Sequence, residues 1–167
     1  MKNYFQPRHL RIVDEALIIA EETVSDRFGL TCSFWKRHPF DVKSLLGAMS
    51  WERVGNGYAQ LFRYAKKVCE KRRGSDNPLV FYRIVLNDQR IISTTESEAV
   101  FRMKPLLVYI LIHELLHIVR FTRFCCHFDH YDRLREEKTV HKLTCKMINH
   151  LPIPGIHEVA SHFQASA

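Results

Sequence analysis

The segment Leu106–Val119 reads LLVYILIHELLHIV, apolar or aromatic at every position except His113, Glu114 and His117. A helix of this composition has no polar face to give to water, so it has to be covered on all sides by other parts of the chain. Its longest unbroken stretch, Leu106–Ile112, is seven residues, against about 20 for a membrane-spanning helix. The cover is therefore expected to be protein. With 167 residues the chain falls within the roughly 100–200 of one domain, and with no linker-like tract, residues 1–167 are read as a single domain. A hydrophobic content of 46%, a charged content of 26% and only 6 Gly and 6 Pro exclude disordered, collagen-like and membrane-spanning classes.

Around this segment, local patterns predict the remaining elements. Leu10, Val13, Leu17, Ala20 and Val24 recur at steps of three and four, which predicts an amphipathic helix from Pro7 to about Phe28, ended by Gly29. Val42–Met49 reads as a short helix. Gly55-Asn56-Gly57 is a turn signal that would join Trp51–Val54 to Tyr58–Tyr64 as a hairpin, with a helix from Tyr58 to Lys71 as the competing reading. Gly74–Pro78 is a loop, and LVFYRIVL at Leu79–Leu86 is a strand. Ile91-Ile92 would begin a short return strand. Thr95 and Glu98 match a capping box, placing a helix start at Glu96, a bend near Pro105 and an end near Phe121. A last helix, Tyr131 to about His150, would bury Leu134, Val140, Leu143, Met147 and Leu151 and stop before Pro152 and Pro154.

His113-Glu114-Leu115-Leu116-His117 is an HExxH pattern. Residues four apart lie one helical turn apart on one face, so two imidazoles converge on one ion, while Glu114, rotated by about 100°, reaches toward a water on it. Two imidazoles and one carboxylate are a frequent catalytic zinc set with room for water in the fourth position. Burying three ionisable side chains without a metal or partner would cost several kcal/mol.

These residues resemble the zincin metallopeptidases and, among them, the gluzincins, of which thermolysin is the familiar member. The resemblance covers about Leu106–Met147. It implies an α+β zincin-like domain with an N-terminal backing helix, a small mixed sheet, the HExxH helix and a following glutamate-bearing helix. It further implies one zinc per chain, Glu114 as general base and a third ligand on that later helix. Glu136 and Glu137 lie 19 and 20 residues after His117, a separation similar to the thermolysin-like one. Glu137 is preferred because His141 stands one turn further on, where such enzymes keep a polar neighbour of the ligand. Glu136, and His141 itself, remain alternatives. The metzincin pattern is excluded, since Arg120 and Arg123 occupy its glycine and third histidine. SprT-like proteases, which act near nucleic acid, draw a third histidine from further on. His127 or His130 could imitate it, without the zinc ribbon usual there.

His141, His150, His157, His162 and Tyr131 are candidates for a donor that stabilises the transition state. Cys125-Cys126-His127 with His130 matches no structural zinc spacing, and Arg120 is a candidate partner for a carboxylate. Zincins align an extended peptide on an edge strand beside the active helix. Val80–Leu86 is the first candidate for it, with Tyr58–Tyr64 or Ile91-Ile92 as alternatives. The net charge of +7 comes from scattered cations apart from Lys66, Lys67, Lys71, Arg72 and Arg73, which argues against a nucleic-acid surface. Five cysteines without a CxxC pair, and an N-terminus lacking a signal-peptide core, suit a reduced cytoplasm. The expectation is a cytoplasmic zinc metallopeptidase acting on a peptide or protein, with no membrane partner. The alternative is a metal-stabilised binding module that no longer turns over.

Overall fold

The computed structural model describes residues 4–66, 79–97, 102–123, 127–128 and 132–165. The Gly74–Pro78 loop, Glu98, Cys69, Cys125, Cys126, His130, Tyr131 and most of the basic run at 66–73 lie outside them. Among the described residues the chain is α+β, with six α-helices and a three-stranded mixed sheet.

Helix α1 spans Pro7–Phe28. Proline at its first position loses nothing, because that N–H has no partner in a helix. Gly29 closes it at φ 60°, ψ 40°, a left-handed conformation that favours glycine. The buried stripe is Val13, Ala16, Ala20 and Val24, turned slightly from the expected one, for Leu10 is 42% exposed. The two alanines let α1 lie close against the apolar helix that follows later in the chain.

After a short helix α2 (Cys32–Arg37) comes β1 (Phe40–Ser44), continued by a 3-10 turn over Leu45–Gly47. The helix expected over Val42–Met49 is therefore replaced by strand and turn. Asp88 fixes this outcome: its buried carboxylate accepts from Leu45 N at 2.9 Å and Phe5 N at 3.1 Å, a tertiary contact that no local pattern announces. Strands β2 (Ala59–Lys66) and β3 (Leu79–Leu86) complete the sheet in the order β1-β3-β2, with β1 parallel and β2 antiparallel to β3. Trp51–Val54 forms no strand, so the Gly55–Gly57 hairpin and the Tyr58–Lys71 helix are both corrected. Instead β2 pairs with β3, Leu61 opposite Ile84. As the central strand, β3 buries Tyr82, Ile84, Val85 and Leu86, which explains its β-branched and aromatic composition.

Helix α3 (Asp88–Ser97) contains Ile91 and Ile92, both buried, so they form no return strand. Thr95 lies inside this helix, where its hydroxyl donates to Ile91 O and Ile92 O. A threonine that bonds back to the preceding turn cannot cap a helix start. Helix α4 (Met103–Thr122) begins instead beyond Arg102, with Pro105 in its first turn, where proline is tolerated. By length and composition α4 could cross a membrane, yet 83% of its most apolar stretch is buried in the fold. It is packed by α1, α3, β2, α5 (Arg133–Ile148) and α6 (Ile156–Ala165), and this surrounding cover is why its sequence is apolar all round.

Helix α5 is capped by Asp132, which accepts from Arg135 N at 3.1 Å. It buries Glu136, Val140, Thr144, Cys145, Met147 and Ile148, whereas Leu134, expected in the core, is 77% exposed. Pro152 and Pro154 follow its end, as expected, and α6 then adds a turn of chain that periodicity did not predict. Its entry needs Gly155: the residue has φ 89°, and an added Cβ would lie 3.3 Å from Pro105 Cγ of α4.

Candidate metal centre

Helices α4 and α5 each present a stripe with a step of four residues to the same region: Tyr109, His113, His117 and Phe121 on α4, and Arg133, Glu137 and His141 on α5. At the middle, His113 Nε2 lies 3.1 Å from Glu137 Oε2, His117 Nε2 lies 3.3 Å from Glu137 Oε1, and the two Nε2 atoms are 3.2 Å apart. Four-coordinate zinc with bonds of about 2.0–2.2 Å has ligand atoms roughly 3.3–3.5 Å apart, so the three donors fit such an ion. The donor chemistry agrees, two imidazoles and one carboxylate. Among the described residues, His113, His117 and Glu137 are the one group placed to hold a metal ion.

Glu136 is drawn away from this group. It is buried, and Arg120 donates to both its oxygens, from Nε at 2.6 Å and from a terminal nitrogen at 2.9 Å. Its Oε1 lies 3.8 Å from His117 Nδ1, on the side of the ring away from Glu137. Arg120, read from sequence as a candidate partner for a carboxylate, thus binds that of Glu136. Among the described residues, the buried Nδ1 atoms of His113 and His117 have no hydrogen-bond partner.

His141 is placed elsewhere than the sequence reading had it. It touches neither Glu137 nor the two ligand histidines by hydrogen bond, but meets the hydroxyl of Tyr109 through Nδ1 at 2.8 Å. Its Nε2 faces Cys145 Sγ at 3.7 Å. A neutral imidazole has one donor and one acceptor nitrogen, so the tautomer of His141 sets which partner of the Tyr109–His141 bond donates. Burial lowers the His141 pKa, and the nearby charge of His113 lowers it further, against a raising hydrogen bond to Phe163. The Tyr109 ring stacks on Phe163 with centroids 4.1 Å apart and planes 2° from parallel.

Tyr109, His113, His117, Glu137 and Phe163 line an open cleft of about 480 Å³. Its floor is α4, its far wall is α5 with Phe163 of α6, and its near wall is the start of β2 with Gly55–Gly57. The near wall is pinned: Asn87 Nδ2 donates to Gly57 O at 3.1 Å, and the Arg90 guanidinium donates to Asn56 O and lies over the Tyr58 ring. Since β2 ends the sheet on this side, the edge beside the metal group is β2, and Val80–Leu86 is corrected to a central strand. The Tyr58–Tyr64 alternative is the one realised.

Glu114 also lines the cleft. Burial pushes its carboxyl up to about 7, with His113 pulling it down and Glu137 adding to the rise. Glu137 goes the other way: burial would raise it, but hydrogen bonds and charge from His113 and His117 hold it well below the usual carboxylate range. Two neighbouring carboxyls with opposite shifts suit one proton carrier and one permanent anion.

Of the other sequence candidates, His127 is exposed and outside the metal group, and His157 and His162 are exposed and do not line the cleft. His150 lines a different groove, near Ile19 and Pro152. Tyr109, Phe163 and Arg133 were not singled out from sequence. Tyr109 carried a usable signal, one turn before His113 on the same face, and Arg133 another, one turn before Glu137. The chain matches no family model, no curated protein and no solved structure.

Proposed function

We propose that this chain is a zinc-dependent hydrolase of the gluzincin-like, zincin type, a metallopeptidase in which Glu114 serves as general base toward the attacking water. The observation that carries this reading is the convergence of His113, His117 and Glu137 to within 3.1–3.3 Å of one another beside Glu114, at the floor of an open cleft. When bound, zinc would supply Lewis acidity, lowering the pKa of a water and polarising a carbonyl.

The chain's own residues divide the remaining work. Glu114, one position after His113, takes the proton from the water and returns it to the departing amine. Among the described residues no further strand pairs with the outer edge of β2 at Ala59–Leu61, so an extended peptide can align along it. Tyr58, Leu61, Phe121 and Phe128 line the cleft with apolar surface, which displaces water from a bound peptide.

Native mass spectrometry of the purified protein is expected to show about one zinc per chain, and a peptide library incubated with it is expected to be cleaved. Glu114→Gln is expected to keep the zinc and lose the cleavage. A protein that refuses added zinc, or a variant that cleaves as well as the wild type, overturns the reading.

A further inference from the structure

Arg133 is the one lysine or arginine among the described residues that line the cleft. It stands one turn before Glu137 on α5, a spacing that puts the two Cβ atoms roughly 6 Å apart on one face. The other arginines around the site are engaged: Arg120 by Glu136, Arg90 by Asn56, Arg63 over the Phe128 ring, and Arg83 by Asp41 and Glu52. Among the described residues, the Arg133 side chain makes no ion pair or hydrogen bond. Its position does not serve the helix either, because a cation in the first turn opposes the helix dipole. A guanidinium with open donors beside a metal-binding group is suited to a planar anion, which it can grip through two parallel bonds.

The surroundings narrow the anion. Phe121 and Phe128 line the same cleft, their centroids 5.0 Å apart in an edge-to-face pair, and Phe121 in turn stacks on the ring of His117. Phe121 closes the α4 stripe, and Arg133 opens the α5 stripe. The contacts of Tyr109 with His141 and of His113 with Glu137 show that the two helices run in opposite directions, so Phe121 and Arg133 fall at the same end of the cleft. That end joins an apolar wall to an unengaged cation, one turn from the metal group.

We infer that Arg133 is a specificity-determining residue that receives a carboxylate of the substrate, presented next to an apolar group and adjacent to the bond that reacts. The inference rests on the metallopeptidase reading and adds to it the class of substrate: chains ending in an apolar residue with a free carboxylate, or chains carrying that carboxylate on a side chain.

The test is calorimetric binding to zinc-loaded protein, with zinc content measured first. The probes are mercaptoacetyl-phenylalanine, its C-terminal amide, and mercaptoacetyl-aspartamide, whose one carboxylate is on the side chain. The free acid is expected to bind about tenfold or more tighter than its amide, the ratio that one charge-assisted pair supplies. In Arg133→Gln the ratio is expected to fall to about twofold or less, with zinc content and the affinity of the amide unchanged, and Arg133→Lys is expected to retain part of it. Tighter binding of the aspartamide probe than of the phenylalanine acid, lost in Arg133→Gln, supports the carboxylate role with a side-chain source. Equal affinity of acid and amide for the wild type overturns the inference while leaving the metal reading intact, as does a preference that survives in Arg133→Gln. If the protein takes up no zinc and binds none of the thiols, the metallopeptidase reading fails and this inference fails with it.

Discussion

Arg120 holds Glu136 through two nitrogens, at 2.6 and 2.9 Å, and so leaves the next residue, Glu137, to face the histidines. Two adjacent glutamates on one helix differ by about 100° around its axis, and here the arginine one turn beyond His113-Glu114-Leu115-Leu116-His117 decides which of them faces the histidines.

The two glutamates should therefore fail in different ways. Glu137→Ala is expected to weaken zinc binding by orders of magnitude and to change the melting temperature of the metal-free protein little. Glu136→Ala, which the sequence alone would class as mild, is expected to destabilise the metal-free protein by roughly 2–3 kcal/mol. Breaking a buried pair costs about 3–5 kcal/mol, reduced here because Arg120 keeps some access to water. Zinc titration and thermal melts in chelator separate the two effects. Loss of zinc binding in Glu136→Ala alone would contradict the assignment.

His113→Ala and His117→Ala are expected to abolish zinc uptake. Because metal binding free energy is partly folding free energy, the wild type should melt several degrees higher with zinc than in chelator, and these variants should show no such difference. Differential scanning calorimetry with and without zinc measures it.

Tyr109 and His141 are coupled through one hydrogen bond of 2.8 Å. His141→Ala leaves the buried Tyr109 hydroxyl without its hydrogen-bond partner, an omission that costs roughly 1–3 kcal/mol. In a Tyr109→Phe background the same change should cost less. A double-mutant cycle by chemical denaturation is expected to give a coupling of about 1 kcal/mol, and a coupling near zero would show the bond to be inconsequential. Zinc affinity should respond to His141→Ala far less than to Glu137→Ala, since His141 makes no hydrogen bond to a ligand.

Glu52 gives a pH signature remote from the cleft. Burial works to raise its pKa, but the Tyr64 hydroxyl, the Met49 N–H at 2.7 Å and the Arg83 guanidinium outweigh it, so the folded value lies below the ordinary 4.5. A group depressed in the folded state contributes stability that is present above its unfolded pKa and is lost as pH falls through the folded one. Wild-type stability should accordingly drop more steeply than that of Glu52→Gln below about pH 4.5. Urea melts at pH 7 and pH 3.5 test this, and parallel curves would refute it.

The parts of this protein that could be read from its sequence are those fixed by local spacing. His113 and His117 share a face because they are four residues apart, β3 is a strand because its β-branched and aromatic side chains suit a pleated sheet, and Gly29 ends α1 because of its backbone freedom. What escaped was decided by partners distant in sequence. Val42 belongs to a strand because β1 pairs with β3, and β2 rather than β3 is the edge because sheet order is not a local property. Thr95 imitated a cap while bonding back into its own helix. Glu136 and Glu137 could not be separated by burial or period, since the arginine that separates them lies on another helix.

Because α4 carries both histidines and is covered by four other helices and a strand, its backbone amides around Ile112–His117 are buried in the last part of the protein to open. Hydrogen exchange there should proceed only with global unfolding, so the floor of the cleft is a fixed template across the native ensemble. Adjustment to an incoming chain is left to the wall at Gly55–Gly57, which is tied by the side chains of Asn87, just before α3, and Arg90, within it, rather than by a core.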